Sequence, residues 1–575
     1  MKEFWSRLMS NPAVAFELVT ATLFISILAL ASPIFVMQVL NRYVSQGVDA
    51  TLITLTSGVL IAIVLELIFR QARLHIAQVI SADKDENHAL NGYKTLVHSK
   101  LSALERVPLD TRREILGGQQ AIEQAYSASN ISVVLDVPFA LLFVFVLYLL
   151  VPPVAMVVLA FIIVVFFGGI LGASSMNSVT NEVTEASGAN SALLGTAIRE
   201  AETVRAFNAG KNLISSWGGQ IGQLQWLRRK LALRQGLVQS LTQSANALMS
   251  VAVIVTAGIL VVSGELDVGA MIGANILGAR ALQPISRFSQ LGSTFAKARQ
   301  ALNLIDEFSN LPLEKDRGSA LSNYSGGIEF RDISFNYNND NNPLYESLNL
   351  KLEPGSILVV TGSNGVGKTT LARMIVGLLE PSRGNLLVDG LDIQQAASER
   401  WRKQVTYLPQ EPALIGGTIS ENILINSPET GLERLNQIID AVGLRRFVDE
   451  SESGVETPIL DNGWRLSEGI RRRIALARAL ITNGKLVVFD EPTESFDAAG
   501  VKVVHNILST LAKAGSTIII MSHDPKIVQG KHYILDLDIK PVPDLKHLDS
   551  KVPSKNMDES KHQKLNQAGD VSDGG

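Results

Sequence analysis

Four apolar runs, Leu18–Leu40, Leu52–Phe69, Ile131–Val151 and Val154–Ala173, approach or exceed the roughly 20 residues that a helix needs to cross a bilayer. Leu241–Ser263 is a fifth and Val268–Ile285 a weaker sixth. A single run of this kind is often a buried core helix. Six in the first half of one chain are not, because no water-facing surface would remain to cover them. Residues 1–310 are therefore read as an all-α transmembrane domain of six spans, set in a lipid bilayer. The first run is too long, and too poorly followed by small residues, to be a removed signal peptide.

Basic residues set the expected orientation. The stretch between spans two and three carries Arg70, Arg73, Lys84, Lys94, Lys100, Arg106, Arg112 and Arg113, and that between four and five carries Arg199, Arg205, Lys211, Arg228, Arg229, Lys230 and Arg234. The short turns carry only Arg42, so both long loops and both termini are expected in the cytoplasm. Ile76–Leu104 and Leu193–Leu241 keep apolar residues at helical spacing, which predicts helices continuing out of the membrane. Asp136 and Arg280 lie in or near spans and are functional candidates. Followed by Val137 and Pro138, Asp136 also has the chemistry of a helix N-cap, the reading favoured on sequence. Arg280 fits either a translocation path or a side chain snorkelling to the inner headgroups.

After residue 310 the pattern changes to short apolar strands, glycine loops and amphipathic helices. The expected division is a linker over 311–327, an α/β domain over 328–540 and a disordered tail over 541–575. The 18% of charged residues, against about 25% in ordinary soluble chains, then reflects dilution by the membrane half. With 51 basic and 55 acidic residues the net charge is −4, which gives no electrostatic grip on nucleic acid. The absence of cysteine excludes disulfides, thiolate metal sites and thiol catalysis.

The chemistry is legible in this second half. Gly362-Ser363-Asn364-Gly365-Val366-Gly367-Lys368-Thr369 follows the apolar strand Ile357–Thr361 and precedes a helical run, Thr370–Leu379. That is a phosphate-binding loop in its proper setting, with backbone N–H groups curling round phosphates at a helix N-terminus. Lys368 would neutralise phosphate charge and the Thr369 hydroxyl would ligate Mg²⁺, with Thr370 beginning the helix beside the nucleotide. A second strand, Leu486–Phe489, ends in Asp490-Glu491, placed to hold Mg²⁺ and to polarise an attacking water respectively. A third, Thr517–Met521, delivers His523 toward the γ-phosphate, and Gln410, after Val405–Leu408, is placed to sense metal and water.

Together these residues resemble the ABC exporters, over nearly the whole chain except the tail. Leu466-Ser467-Glu468-Gly469-Ile470, with the helix that follows, is similar to the family signature, and Tyr337 in Ser334-Phe335-Asn336-Tyr337 to the aromatic that stacks on adenine. Gln410, His523 and Asp497 match the Q-loop, switch histidine and D-loop aspartate. The resemblance implies a P-loop ABC ATPase domain binding ATP and Mg²⁺, with Glu491, His523 and Gln410 catalytic. In the membrane half, Ser32 to Arg42, Asp136-Val137-Pro138-Phe139 and Leu277 to Pro284 resemble the type I secretion branch. That implies export of an unfolded protein across a bacterial inner membrane, with a periplasmic adaptor (membrane fusion) protein and an outer-membrane channel as partners. No leader-cleaving peptidase domain is expected before the first span.

In this family two ATPase domains meet head to tail, and Ser467 and the Gly469 N–H would grip the γ-phosphate held by the other subunit. Here Glu468 and Ile470 stand where the family has Gly and Gln. A carboxylate turned inward would weaken that closure, so a heterodimer with a second, different ABC subunit is favoured over a homodimer. Two other functions remain in view: export of a lipid, drug or peptide by the same engine, and a nucleotide-regulated receptor that transports nothing.

Overall fold

The computed structural model describes residues 2–45, 47, 49–318, 324–337, 343–524, 527 and 532–548. The chain divides into two compact units, one of Met1–Ser99 with Ala103–Pro312, the other of Leu313–Gly575 with Lys100–Ser102.

The first unit is helical. A short amphipathic helix, α1 (Lys2–Ser10), leads into α2 (Pro12–Ala29), which continues with a change of winding to Val44. Then come α3 (Asp49–His98), α4 (Ala128–Leu150), α5 (Pro152–Arg199), α6 (Gly210–Val262), α7 (Val268–Gln290) and α8 (Gly292–Ser309). At 1.5 Å per residue the 50-residue α3 is about 75 Å long, more than twice the hydrocarbon thickness of about 30 Å. Like α5 and α6, of 48 and 53 residues, it runs on well past any membrane, in keeping with the helical periodicity of the loops.

Among the described residues five helical segments are long and apolar enough to cross a membrane: Pro12–Val44 and α3 to α6. The sixth expected span, α7, is not among them; its glycines and its arginines at 280 and 287 dilute it. It packs instead by small residues: Gly269 and Gly273 lie against Pro33, Met37 and Asn41 in the continuation of α2, and Gly278 lies against α5 and α6. A Cβ on Gly278 would sit 3.1 Å from Val158, so close helix approach explains that glycine. On α3, by contrast, Leu60, Ile61, Val64, Leu67 and Ile68 stand exposed, a face made for lipid.

Asp136 departs from its sequence reading. Helix α4 begins at Ala128 after Ser127, so Asp136 lies two turns inside and cannot cap it. Its carboxylate instead accepts from the buried Arg73 guanidinium of α3 at 2.5 Å.

In the second unit a four-stranded antiparallel layer, β1 (Ile328–Phe335), β2 (Tyr345–Leu352), β4 (Arg383–Val388) and the short Leu391–Asp392, lies in the order β2-β1-β4 and then the short strand. A six-stranded sheet is built from β3 (Ile357–Thr361), β5 (Val405–Leu408), β6 (Leu486–Asp490), β7 (Thr517–Met521), β8 (His532–Asp536) and β9 (Asp544–Leu548), in the order β9-β8-β3-β7-β6-β5. All but β9 are parallel, and every residue of β6 and β7 is buried, as strands covered on both faces require. The core packs Leu358, Val360, Leu371, Ile375, Val488 and Ile519 on one side of this sheet, and Val359, Val487, Phe489, Ile474 and Ile520 on the other.

The expected tail is corrected in part. Asp544–Leu548 pairs with β8 as an edge strand, because its backbone completes hydrogen bonds that the polar composition does not advertise. The rest, 549–575, lies outside the described residues. Of the expected linker, residues 319–323 lie outside the described residues; among the described ones Glu314 pairs with Arg402 at 2.6 Å and Tyr324 packs edge-on against Trp401.

Candidate functional site

The carboxyl ends of the parallel strands converge, which is where an open α/β sheet binds its ligand. From β3 the loop Gly362–Gly367 turns into α9 (Lys368–Ile375). Gly367, at φ 113, forms the turn into the helix, and a Cβ there would lie 3.1 Å from Tyr345. The side chain of Lys368 is 7% exposed and folds back over the loop, donating to the carbonyl of Gly362 at 2.7 Å and lying 3.5 Å from Glu491 Oε1.

Asp490 and Glu491 close the other side. Asp490 is buried, and neither of its carboxylate oxygens has a hydrogen-bond partner of good geometry among the described residues. Burial pushes its carboxyl above the usual range, against the opposing pull of the Thr369 hydroxyl. A buried carboxylate with no well-formed hydrogen bond, beside a threonine hydroxyl, fits a divalent cation, since hard cations take oxygen ligands and both side chains present them. Thr369 donates to Gln410 Oε1 at 3.3 Å, which brings the third expected metal contact alongside. Glu491 adopts φ 46, a left-handed conformation costing about 1–3 kcal/mol for a non-glycine residue and typical of functional turns. Its N–H is tied to the Met521 carbonyl at 2.9 Å, and Oε1 lies 3.2 Å from His523 Nε2. His523 Nε2 also contacts Asn364 Oδ1 at 2.9 Å and Lys368 Nζ at 3.1 Å.

The structure thus gathers Lys368, Thr369, Gln410, Asp490, Glu491 and His523 about one point. Tyr337 is placed at the same edge, its hydroxyl 3.0 Å from Thr370 Oγ1. Ser467, Gly469 and Asp497 are not gathered there: no hydrogen bond or ion pair among the described residues joins them to the phosphate loop. Ser467 caps α10 (Glu468–Ile481), accepting from the Ile470 N–H at 3.4 Å, and Asp497 caps α11 (Ala498–Lys513), accepting from Gly500 at 2.7 Å. A Cβ on Gly469 would meet nothing within 4 Å, so this turn faces open space.

Three residues near the site escaped the sequence reading. Asp538, in the turn after β8, accepts from the Ser363 N–H at 2.9 Å and from its hydroxyl at 2.5 Å, so a carboxylate sits on a loop built for phosphate. Those bonds hold its carboxyl below the usual range. Arg472 and Glu494 form an ion pair at 3.4 Å, and Glu494 also accepts from Gln410 at 3.3 Å. No local pattern announces these contacts, because each joins residues far apart or at unremarkable positions.

A second charged site lies in the transmembrane unit. A cavity of about 560 Å³ is lined by Glu66, Arg70, Arg73, Asp136, Arg280 and Arg287 among others. Glu66 pairs with Arg70 and Asp136 with Arg73, which leaves the charges of Arg280 and Arg287 uncompensated by any ion pair among the described residues. Both readings of Arg280 considered from sequence place it at a polar surface, and the structure puts it on this cavity.

Residues 345–494 match the family described as ABC transporter, and residues 16–279 the ABC transporter transmembrane region. The chain is 26% identical to the alpha-hemolysin translocation ATP-binding protein HlyB of Escherichia coli O157:H7, over 91% of this chain and 74% of that protein. It is 24% identical to the toxin RTX-I translocation ATP-binding protein of Actinobacillus pleuropneumoniae, with the same coverage of each. Among solved structures, a bacterial Atm1-family ABC exporter with ATP bound superposes with a TM-score of 0.79, at 18% identity, covering 98% of this chain and 100% of that one.

Proposed function

This chain belongs to the ABC exporters and couples ATP hydrolysis to transport, and from that premise we propose that it moves a polypeptide outward across the bacterial inner membrane as the translocase of a type I secretion system. The observation that carries the reading is the similarity to toxin translocators along 91% of the chain, membrane unit included. The ATPase unit would lie in the cytoplasm, a placement the basic loops support, and a periplasmic adaptor and an outer-membrane channel would complete the path.

In the proposed cycle, ATP binds with its phosphates on the 362–369 loop and its adenine against Tyr337. Lys368 exchanges its bonds to loop carbonyls for phosphate oxygens, and Asp538 yields the Ser363 N–H. Thr369, Asp490 and Gln410 would hold Mg²⁺, which neutralises charge on the phosphates when bound. Glu491 orients and polarises the attacking water, and His523 contacts the γ-phosphate. Ser467 and Gly469, turned to open space on this chain, cap the nucleotide of a second ABC subunit. Glu468 is 53% exposed and drawn back along its own helix toward Arg472, which supports a homodimer over the heterodimer favoured on sequence.

The test is the secreted protein profile of the native host. Deleting the gene should remove one or more secreted polypeptides, restored by the wild-type chain and not by Glu491→Gln. An unchanged profile, with ATPase activity stimulated by lipid or an apolar drug, would replace this reading with the small-molecule exporter.

A further inference from the structure

We propose that Arg472 is a positioning residue that keeps the acidic signature competent to bind phosphate, by drawing the Glu468 carboxylate away from the face on which Ser467 and Gly469 would receive it. The inference rests on the head-to-tail pairing proposed above.

Glu468 stands at the first position of α10, between the two residues expected to grip the γ-phosphate. A free carboxylate there would repel the phosphate that the helix N-terminus attracts. It is not free. Arg472, one turn on, places Nε 3.3 Å from Glu468 Oε1, with the acid N-terminal to the base, the favoured order for an i,i+4 pair. Hydrogen bonding with Ser495 and then Arg472 holds the carboxyl below the usual range.

What fixes Arg472 is its surroundings. Its side chain is 6% exposed, unlike the Glu468 it holds, and a buried guanidinium has few geometries open to it. One terminal nitrogen donates to the Glu491 carbonyl at 3.4 Å and the other to Glu494 at 3.4 Å. Glu494 in turn accepts from Gln410, whose other end receives the Thr369 hydroxyl. The guanidinium is thereby anchored to the metal side of this chain's own site while its Nε reaches the signature. Sequence motifs describe these as two separate half-sites, and Arg472 is the side chain touching both.

The test is steady-state ATPase activity of the full-length protein in lipid nanodiscs. Arg472→Gln is expected to raise KM for ATP about tenfold, because Glu468 is released toward the incoming phosphate, with a smaller change in kcat. Adding Glu468→Gln to that variant should return KM to within about twofold of wild type. A double variant that keeps the full KM defect overturns the proposal, since a purely structural Arg472 would not be rescued by removing a charge one turn away. Arg472→Lys spares the fold by keeping charge and stem; it should raise KM several-fold, again relieved by Glu468→Gln, and an unchanged KM overturns the proposal equally. A parallel measurement of ATP-dependent pairing in Glu491→Gln separates the two claims: failure to pair defeats the head-to-tail reading, whatever Arg472 does.

Discussion

Glu491→Gln tests the chemistry most directly. The substitution keeps the length and shape of the side chain and leaves the anchoring backbone bond from the Glu491 N–H to Met521 untouched. It removes the negative charge of the carboxylate whose Oε1 sits 3.2 Å from His523 and 3.5 Å from Lys368, the group proposed to polarise the attacking water. A well-placed general base contributes about 10²- to 10⁴-fold, which at about 1.4 kcal/mol per decade is about 3–5.5 kcal/mol of barrier. The phosphate loop, Lys368 and Thr369 are unaltered, and one negative charge beside the γ-phosphate is gone, so ATP should bind at least as tightly as before. The assay pairs phosphate release with equilibrium binding of a fluorescent ATP analogue. Hydrolysis should fall at least about 100-fold while binding persists. A variant that still hydrolyses at about a tenth of the wild-type rate would refute Glu491 as the base; one that loses ATP binding would refute the geometry drawn from the fold.

Asp490→Asn carries a pH signature. Because burial raises this carboxyl, it favours the fold below its unfolded value and works against it as pH rises through the folded value. Without metal at pH 7, Asp490→Asn should therefore raise Tm, an advantage that shrinks on acidification, while Mg²⁺-ATP should stabilise the wild type more than the variant; a lower Tm in metal-free buffer would contradict this. Asp538→Asn removes the carboxylate that occupies the Ser363 N–H, and should tighten ATP binding several-fold by titration, most clearly at low salt. Asp136→Ala leaves Arg73 buried without its acid, at a cost of about 3–5 kcal/mol, read as a lower unfolding temperature in detergent; exchanging the two charges should recover part of the loss, and a neutral single variant would show the pair to be dispensable.

The strands that carry the site were visible before the structure because each is a short apolar run ending in a motif. Ile357–Thr361 and Thr517–Met521 form with the expected bounds, and β6 extends one residue, to Asp490. Buried parallel strands are continuous in hydrophobicity, and their ends are where polar chemistry must begin. The amphipathic stretches beyond the spans were legible for a similar reason, since helical periodicity survives when a helix leaves the membrane. Asp136 was misplaced because an Asp before a Val-Pro pair looks like a cap locally, and only its partner on another helix shows that the helix had already begun. The edge strand Asp544–Leu548 was hidden because backbone pairing, not side-chain hydrophobicity, holds it.

By itself, then, the sequence determined the two-part plan, since so many runs of about 20 apolar residues in one half of a chain cannot all be buried core helices, and it determined the phosphate loop and the acidic strand end, since their spacing along the chain is their mechanism. Tertiary structure alone decided which charges meet. Arg73 with Asp136, Asp538 on the phosphate loop, and Arg472 between Glu468 and Glu494 depend on distances through space that residue order does not encode. A charge is read one residue at a time in a sequence, whereas its energy is set by what lies within a few ångströms of it.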